Sequence, residues 1–138
     1  MKTIAEIENE IIEEFNGIGD SFAQYEHLIR LAPRLSPYTP EAQQSARIVQ
    51  GCQSSVWLSI NCRDGLFYFT EYSHSSIING VLHLFERMLC GQPCADVASA
   101  HITLLSRTSF VEAFESERRK GVSYILHTLQ EGAAKDSE

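Results

Sequence analysis

Two strand-like runs joined by an Asp-Gly turn constrain the fold of this chain more than any other feature. Residues 55–61 and 66–70 are rich in β-branched and aromatic side chains, which favour strands. Arg63-Asp64-Gly65 lies between them, and Asp-Gly suits the tight turn of a β-hairpin. Residues 46–50 form a further short strand candidate. The three runs predict a small antiparallel three-stranded meander.

Two amphipathic helices are predicted before these strands. Thr3 and Glu6 have the spacing of a capping box, and the first helix that they open ends at Asn16-Gly17. Its glutamates are expected to form a solvated face. Asp20 can cap a second helix, which Pro33 stops.

The chain after the strands also reads as helical. Ser73 or Ser75 is expected to cap a central helix that is apolar over a wide arc and therefore buried. A short helix at 93–98 and further helices at 107–115 and 116–132 follow, with residues 133–138 as a polar tail. The predicted class is α+β, with N- and C-terminal helices packed on a small antiparallel sheet. Residues 1–138 are expected to form one domain with a core of about 3–132.

Composition and charge exclude several classes of partner. The hydrophobic fraction is 43%, the charged fraction 21% and the net charge −7, which is ordinary for a globular protein but unsuited to binding nucleic acid or an anionic membrane. No apolar run reaches the length of a membrane span, and the first residues turn acidic at once. We therefore expect a cytoplasmic protein whose four cysteines are reduced.

Cys52 is the leading candidate for chemistry. It sits in the turn-like segment Gly51-Cys52-Gln53-Ser54, directly before the strand that contains Trp57. A thiol in a loop on a rigid strand pair is well placed to react. The alternative is that Cys52 is only a small buried hydrophobic residue, as free cysteines often are. Trp57 is expected in the core, because a tryptophan in a strand usually packs.

The other cysteines give weaker signals. Cys52 and Cys62 flank a strand and would stand roughly 30 Å apart, too far for a disulfide. Cys90 and Cys94 are a weak zinc signal without a second pair, so no metal site is assigned. Serine-hydrolase and phosphate-loop motifs are missing from the sequence, and no histidine stands in a motif that would make Cys52 a hydrolase nucleophile.

The segment Gly51-Cys52-Gln53-Ser54-x-Val56-Trp57 resembles the signature of the SufE family of sulfur acceptors. Supporting resemblances are found at Tyr25-Glu26-His27-Leu28-Ile29, at the Ser73–Gly80 segment that opens the central helix, and at Arg118-Arg119-Lys120-Gly121. Together these segments extend over roughly residues 5–130 in the order that the family has. Two departures from the family pattern, His74 and Phe114-Glu115, concern the partner surface rather than the reactive loop.

The resemblance implies a sulfur carrier with an IscU-like fold. Cys52 would take persulfide sulfur from a SufS-like cysteine desulfurase, stimulate that enzyme, and deliver the sulfur for iron–sulfur cluster assembly on a SufB-like scaffold. The carrier itself would bind no cofactor, since pyridoxal phosphate belongs to the desulfurase. Gly51 would act as a loop hinge, Gln53 and Ser54 would shape the loop, and Arg118 would supply a cation, although it also fits a plain surface charge.

The runner-up is a metal- or cluster-binding scaffold of the IscU type, which would use several cysteines. Cys62, Cys90 and Cys94 do not match the arrangement that such scaffolds use. A colourless, metal-free protein is expected for the carrier, and a stoichiometric chromophore or zinc for the scaffold.

Overall fold

The computed structural model describes residues 2–36, 47–48 and 56–136. The α-helices are α1 (Ile4–Asn16), α2 (Ser21–Leu31), α3 (Ser76–Leu89), α4 (Cys94–Ser99), α5 (Leu104–Arg107) and α6 (Ser116–Asp136). The strands are β1 (Arg47–Ile48), β2 (Val56–Arg63) and β3 (Leu66–Ser73), and short 3-10 helices cover Ala32–Arg34 and Phe110–Ala113. The predicted α+β class, with helices packed on an antiparallel sheet, is confirmed.

The sheet is built on the predicted hairpin. β2 and β3 pair antiparallel along their whole length, from Val56 opposite Ser73 to Arg63 opposite Leu66. Asp64 and Gly65 have φ angles of 54° and 79°, and a two-residue hairpin turn of this kind needs positive φ at both positions. β1 pairs antiparallel with the other edge of β2, which gives the strand order β1-β2-β3.

One face of the hairpin carries the core. Alternate side chains such as Val56 and Leu58 of β2 and Phe67 and Phe69 of β3 are buried on that face. α3 packs against β3 and α6 packs against β2. α3 is buried along most of its length, which confirms that it is the central helix. Within the described ranges, no helix has the length and apolar content needed to cross a membrane.

The two N-terminal helices start as their sequences predict. Thr3 and Glu6 form both hydrogen bonds of the capping box, and the Asp20 side chain accepts from Ala23 N. α2 then crosses α3 at Gly80, where the Leu28 backbone of α2 comes too close for any side chain on the glycine. This close approach fixes where the second helix lies on the central one.

Glu8 corrects the prediction that the α1 glutamates form a solvated face. Its side chain is only 5% exposed, and Oε2 accepts a hydrogen bond from the Thr103 backbone N at 2.7 Å. Nearby, Gln92 Nε2 donates to the Lys2 carbonyl at 2.9 Å. The start of α1 is thus tied to chain segments about ninety residues later, a pairing that helical periodicity alone does not reveal.

Two predicted boundaries in the C-terminal half are wrong. Residues 107–115 do not form one helix, because α5 ends at Arg107 and Thr108 is extended, with its Oγ1 donating back to the Leu104 carbonyl at 2.8 Å. Residues 133–138 are not simply a polar tail, because α6 continues to Asp136 and buries Ala133 completely. Alanines are strong helix formers, which explains the longer helix.

Trp57 is not part of the core. It alternates with Val56 and Leu58 along β2 and therefore points to the opposite face, where it is half-buried. Its ring meets the ring of His74 edge-on, with centroids 6.3 Å apart. The prediction failed because strand register, rather than residue type, decides which face a side chain takes.

Candidate functional site

Cys52, Gly51, Gln53 and Ser54 lie outside the described residues, so the structure describes the frame around them. Ile48, before the segment, pairs with Trp57, and Val56, after it, pairs with Ser73. Val56 and Ser73 thus lie at the end of the sheet where β3 leads into α3.

Hydrogen bonds fix the start of α3 at this end of the sheet. The Ser75 side chain caps α3 by accepting from Ile78 N at 3.3 Å. Ser73 Oγ accepts from Ser75 N at 3.1 Å, and Asn79 Nδ2 donates to the Ser73 carbonyl at 3.0 Å. Of the two predicted caps, Ser75 is the cap and Ser73 supports it.

Glu71 is a buried acid two residues before this junction. Its side chain is 2% exposed, and neither carboxyl oxygen has a hydrogen-bond partner. Burial, with a smaller repulsion from Glu86, raises the pKa of Glu71 to about 9. The acid is therefore protonated and neutral at physiological pH.

The helix face opposite Glu71 is also polar. Asn79 Oδ1 and His83 Nδ1 are buried without hydrogen-bond partners, and His83 Nδ1 lies 3.7 Å from Glu86 Oε1. Burial opposes ionisation of Glu86, but His83 and Ser36 outweigh it and lower the pKa of its carboxyl. In the part of the chain that the structure describes, every buried side-chain nitrogen or oxygen without a partner belongs to Glu71, Asn79 or His83.

We call Glu71, Asn79, His83 and Glu86 the Glu71 cluster. Sequence reasoning missed it, although one signal was available. Strand alternation places Glu71 on the same face as the core residue Phe69. If the predicted strand 66–70 is extended to residue 71, the sequence therefore predicts a glutamate on the buried face of the sheet. Unpaired buried polar groups of this kind are often found at functional sites.

Two of the cysteines form a disulfide, which corrects the prediction that all four are reduced. Cys62 of β2 is bonded to Cys94, the first residue of α4, with a Cα–Cα distance of 6.5 Å. A bridge between Leu66 and Pro93 brings α4 to the hairpin turn, and Cys94 N donates to the Gly65 carbonyl at 2.9 Å. The pairing depends on this long-range contact, which sequence spacing does not show.

The disulfide lies at the other end of β2 from the candidate segment. Cys62 is six residues along the strand from Val56, which is about 20 Å at the usual rise of a strand. The disulfide sulfurs are therefore too remote to exchange directly with a group held near Val56. The described residues also contain no group of three or more His, Cys, Asp or Glu side chains placed to hold a metal ion.

Cys90 is a free, half-buried thiol with a raised pKa. Burial raises its pKa to about 12, although a hydrogen bond from the Phe69 backbone opposes the shift, and the charges of Glu86 and Glu71 add to it. The nucleophilic form of a cysteine is the thiolate, so Cys90 is almost entirely in its inert form at neutral pH.

Arg118 is the sequence-predicted site residue that the structure does describe. It lies in the first turn of α6 and is half-buried, and no carboxylate of a described residue is within 4.0 Å of it. Its neighbour Arg119 is different, because Nε donates to the Val111 carbonyl at 2.9 Å and Nη2 to the Glu112 carbonyl at 3.2 Å. The Arg119 guanidinium thus stabilises the fold through these two hydrogen bonds, whereas the charge of Arg118 is not neutralised by a described carboxylate.

Comparison with known proteins decides the family. A sequence model of SufE, described as an Fe–S metabolism associated domain, matches residues 9–133. The chain belongs to the SufE family. SufE membership confirms the resemblance that was drawn from the Cys52 segment.

Relatives of similar length support this SufE assignment. An uncharacterized SufE-like protein of Rhizobium etli is 25% identical over 130 residues, which cover 91% of this chain and 88% of the relative. One from Synechocystis is 24% identical over 120 residues, covering 87% of this chain and 76% of the relative. The solution structure of a hypothetical protein from Thermus thermophilus shares the fold, with a TM-score of 0.80, 17% identity and coverage of 94% of this chain and 95% of that chain.

The two departures from the usual SufE pattern have different surroundings. His74 is exposed, and its ring contacts Trp57. Phe114 is buried and packs edge-on against Tyr25, with centroids 5.9 Å apart, while Glu115 is exposed. Phe114 is thus explained by core packing, whereas His74 and Glu115 lie at the surface.

Proposed function

We propose that this chain accepts persulfide sulfur on Cys52 from a pyridoxal-phosphate-dependent cysteine desulfurase and passes it on for iron–sulfur cluster assembly. The proposal draws on membership of a family associated with Fe–S metabolism. The observation that carries it is the state of the other cysteines. Cys62 and Cys94 are consumed in a disulfide and Cys90 is held protonated, which leaves Cys52 as the candidate nucleophile.

The transfer itself is a thiol–persulfide exchange. The Cys52 thiolate attacks the terminal sulfur of the desulfurase persulfide, the sulfur–sulfur bond of the donor breaks, and the donor cysteine leaves as a thiolate. Cys52 then carries the sulfur and its proton, and no external oxidant or reductant is consumed. A thiolate of the recipient removes the sulfur from Cys52 by the same exchange.

Four further residues are proposed to have roles that follow from this chemistry. Arg118 is proposed to favour the Cys52 thiolate, because a nearby cation lowers the pKa of a thiol. Gly51 is proposed as the hinge of the loop, and Gln53 and Ser54 as the residues that shape it. The chain needs no bound cofactor of its own, since pyridoxal phosphate stays in the desulfurase.

The proposal extends to the partners. A SufS-like desulfurase would donate the sulfur and turn over faster when Cys52 removes it, and a SufB-like scaffold would receive it. Such a pathway would place the protein in the cytoplasm. The IscU-like alternative is less well supported, because two of the cysteines that a scaffold would use are bonded to each other.

Intact mass spectrometry tests the proposal. The protein is incubated with a cysteine desulfurase, pyridoxal phosphate and cysteine, and an added sulfur of about 32 Da is expected on the wild type. Cys90→Ser should load sulfur normally, while Cys52→Ser should not. If Cys52→Ser still gains sulfur, or if Cys90→Ser no longer does, then the proposal names the wrong cysteine as the sulfur carrier.

A further inference from the structure

The outer face of α2 exposes apolar side chains that the fold leaves uncovered. Three large hydrophobic side chains are exposed among the described residues, and two of them lie on α2: Phe22 at 71% and Ile29 at 43%. They are seven residues apart and therefore share one side of the helix, about 10 Å from each other. Pro33 extends the row by one more turn and is also exposed. The result is an apolar row about three turns long.

Two arginines line this row. Arg30 and Arg34 are exposed and four positions apart, and within the described ranges no carboxylate lies within 4.0 Å of either guanidinium. Glu26 is the one acidic residue inside the row, so the edge keeps a net positive charge. The positive charge of this edge is opposite in sign to that of the protein as a whole, which has 18 acidic and 11 basic residues.

The row is held rigidly. The inner side of α2 buries Leu28 and Leu31, and the Leu28 backbone is seated on Gly80 of α3. Asp20 fixes the first turn of the helix by accepting from Ala23 N at 3.0 Å. A partner that docks here therefore meets a surface that needs little ordering, which favours binding.

We propose that the outer face of α2 and of the 3-10 helix that follows it docks an acidic amphipathic helix of a partner protein. This face is formed by Phe22, Ile29, Pro33, Arg30 and Arg34. Apolar side chains spaced by whole helical turns match the i, i+3/i+4, i+7 anchors of such a helix. Arginines four positions apart can pair with carboxylates on successive turns of the partner. The proposal stands independently of the sulfur-carrier function.

Charge selects this occupant over others. A basic or neutral apolar helix would gain the apolar contacts but would leave Arg30 and Arg34 unpaired or repelled. An acidic helix would be repelled by most of this chain, whose net charge is −7, and attracted to the α2 edge. Attraction at one edge combined with repulsion elsewhere gives the docking site its specificity.

Backbone amide NMR of the labelled protein tests the proposal. The probe is a synthetic helical peptide of about 14 residues with leucines at i, i+3/i+4 and i+7 and glutamates beside them. Saturable shift changes centred on residues 21–34 are expected, and they should weaken at least about tenfold as salt is raised from about 0.05 to 0.5 M. The control peptide carries lysines in place of the glutamates and should not bind.

Variants locate the surface. Arg30→Glu combined with Arg34→Glu, and separately Phe22→Ser combined with Ile29→Ser, should each abolish peptide binding while circular dichroism shows an intact fold. Tyr124→Ser is the matched control, because Tyr124 of α6 is the third large hydrophobic side chain that is exposed among the described residues, at 48%. It should bind as the wild type does.

Three results would overturn the proposal. Equal binding of the lysine peptide would show that charge does not choose the occupant. Shift changes outside residues 21–34 would place the surface elsewhere. Concentration-dependent dimerisation that is lost in the Phe22→Ser/Ile29→Ser variant would instead make this face an interface between two copies of the chain.

Discussion

The carbonyl oxygen of Leu28 lies where a side chain on Gly80 would begin. A Cβ placed on Gly80 would be 2.2 Å from that oxygen and 2.8 Å from the carbonyl carbon. Because both atoms belong to backbone, no rotamer change can relieve the clash. The position of α2 on the central helix thus depends on the missing side chain of one residue.

Gly80→Ala is expected to lower the free energy of unfolding by about 1–3 kcal/mol, the usual cost of overpacking. Helix propensity predicts the opposite sign, a gain of about 1 kcal/mol. Urea unfolding followed by circular dichroism measures the difference. Ser123→Ala, at an exposed position of α6, is the control and should leave stability unchanged or slightly higher. A more stable Gly80→Ala protein would contradict the close contact.

Glu71 should make stability fall as pH rises. Its pKa is about 9 in the folded chain against 4.5 for an ordinary glutamate, so between these values the folded state binds a proton that the unfolded state has lost. The stabilising effect of protonation is complete below about pH 4.5 and is lost as pH rises towards about 9, at up to about 1.4 kcal/mol per pH unit.

Glu71→Gln tests this dependence, because glutamine imitates the protonated acid. The variant is expected to be more stable than the wild type at pH 8 and to have a flatter stability profile between pH 5 and pH 9. Denaturant unfolding across that range gives the profile, with the exposed Glu13→Gln as control. Parallel profiles for wild type and Glu71→Gln would show that Glu71 is not the group responsible.

The disulfide should stabilise the fold without taking part in sulfur loading. Cys62 and Cys94 are 32 positions apart, and closing a loop of that length contributes about 3–4 kcal/mol in the chain-entropy treatment. The double variant Cys62→Ser/Cys94→Ser should lose that amount in urea unfolding while still gaining sulfur on Cys52. Loss of loading in a folded double variant would mean that the disulfide sulfurs belong to the transfer route.

Thiol labelling should separate Cys90 from Cys52. With a pKa of about 12, Cys90 should react with iodoacetamide at pH 7.5 about a thousandfold more slowly than an unfolded cysteine. Peptide mapping after timed labelling is expected to find Cys52 modified first and Cys90 only after denaturation. Rapid modification of Cys90 in the native protein would remove the argument that singles out Cys52.

The neighbouring arginines of α6 provide a matched pair. Arg118→Ala is expected to slow sulfur loading of Cys52 about tenfold at neutral pH, since losing a nearby cation raises a thiol pKa by about one unit. Arg119→Ala should instead lower stability, because Arg119 bonds to the Val111 and Glu112 carbonyls. Single-turnover loading and thermal unfolding measure the two effects. Equal loading rates for both variants would show that Arg118 has no specific effect on Cys52 and is only a surface charge.

The elements that could be predicted from sequence are those with local signals. The capping box at Thr3, the Asp20 cap, the Asp64-Gly65 turn and the apolar arc of α3 all act within a few residues, and each appears in the structure. The prediction of one helix over residues 107–115 failed because the Thr108 hydroxyl competes for the Leu104 carbonyl, which is a local effect but a weak one.

The features that could not be predicted depend on residues far apart in the chain. The Cys62–Cys94 bond and the Glu8–Thr103 hydrogen bond join segments that only the folded chain brings together. The candidate site also has one part with a local sequence signal and one part that depends on long-range packing. The SufE family could be recognised from a short motif around Cys52. The burial of Glu71, in contrast, depends on how α3 lies across β3.

The bond from Glu8 to Thr103 also bears on how the protein is made. A ribosome adds about 5–20 residues per second, so about 5–20 seconds separate the synthesis of the two partners. During that interval α1 has its capping box but not the buried bond from Glu8 to Thr103, and helices of its length are marginal in water on their own. α1 is translated before the other described helices and is thus among the last of them to settle, and its apolar side stays exposed until the C-terminal half of the chain arrives.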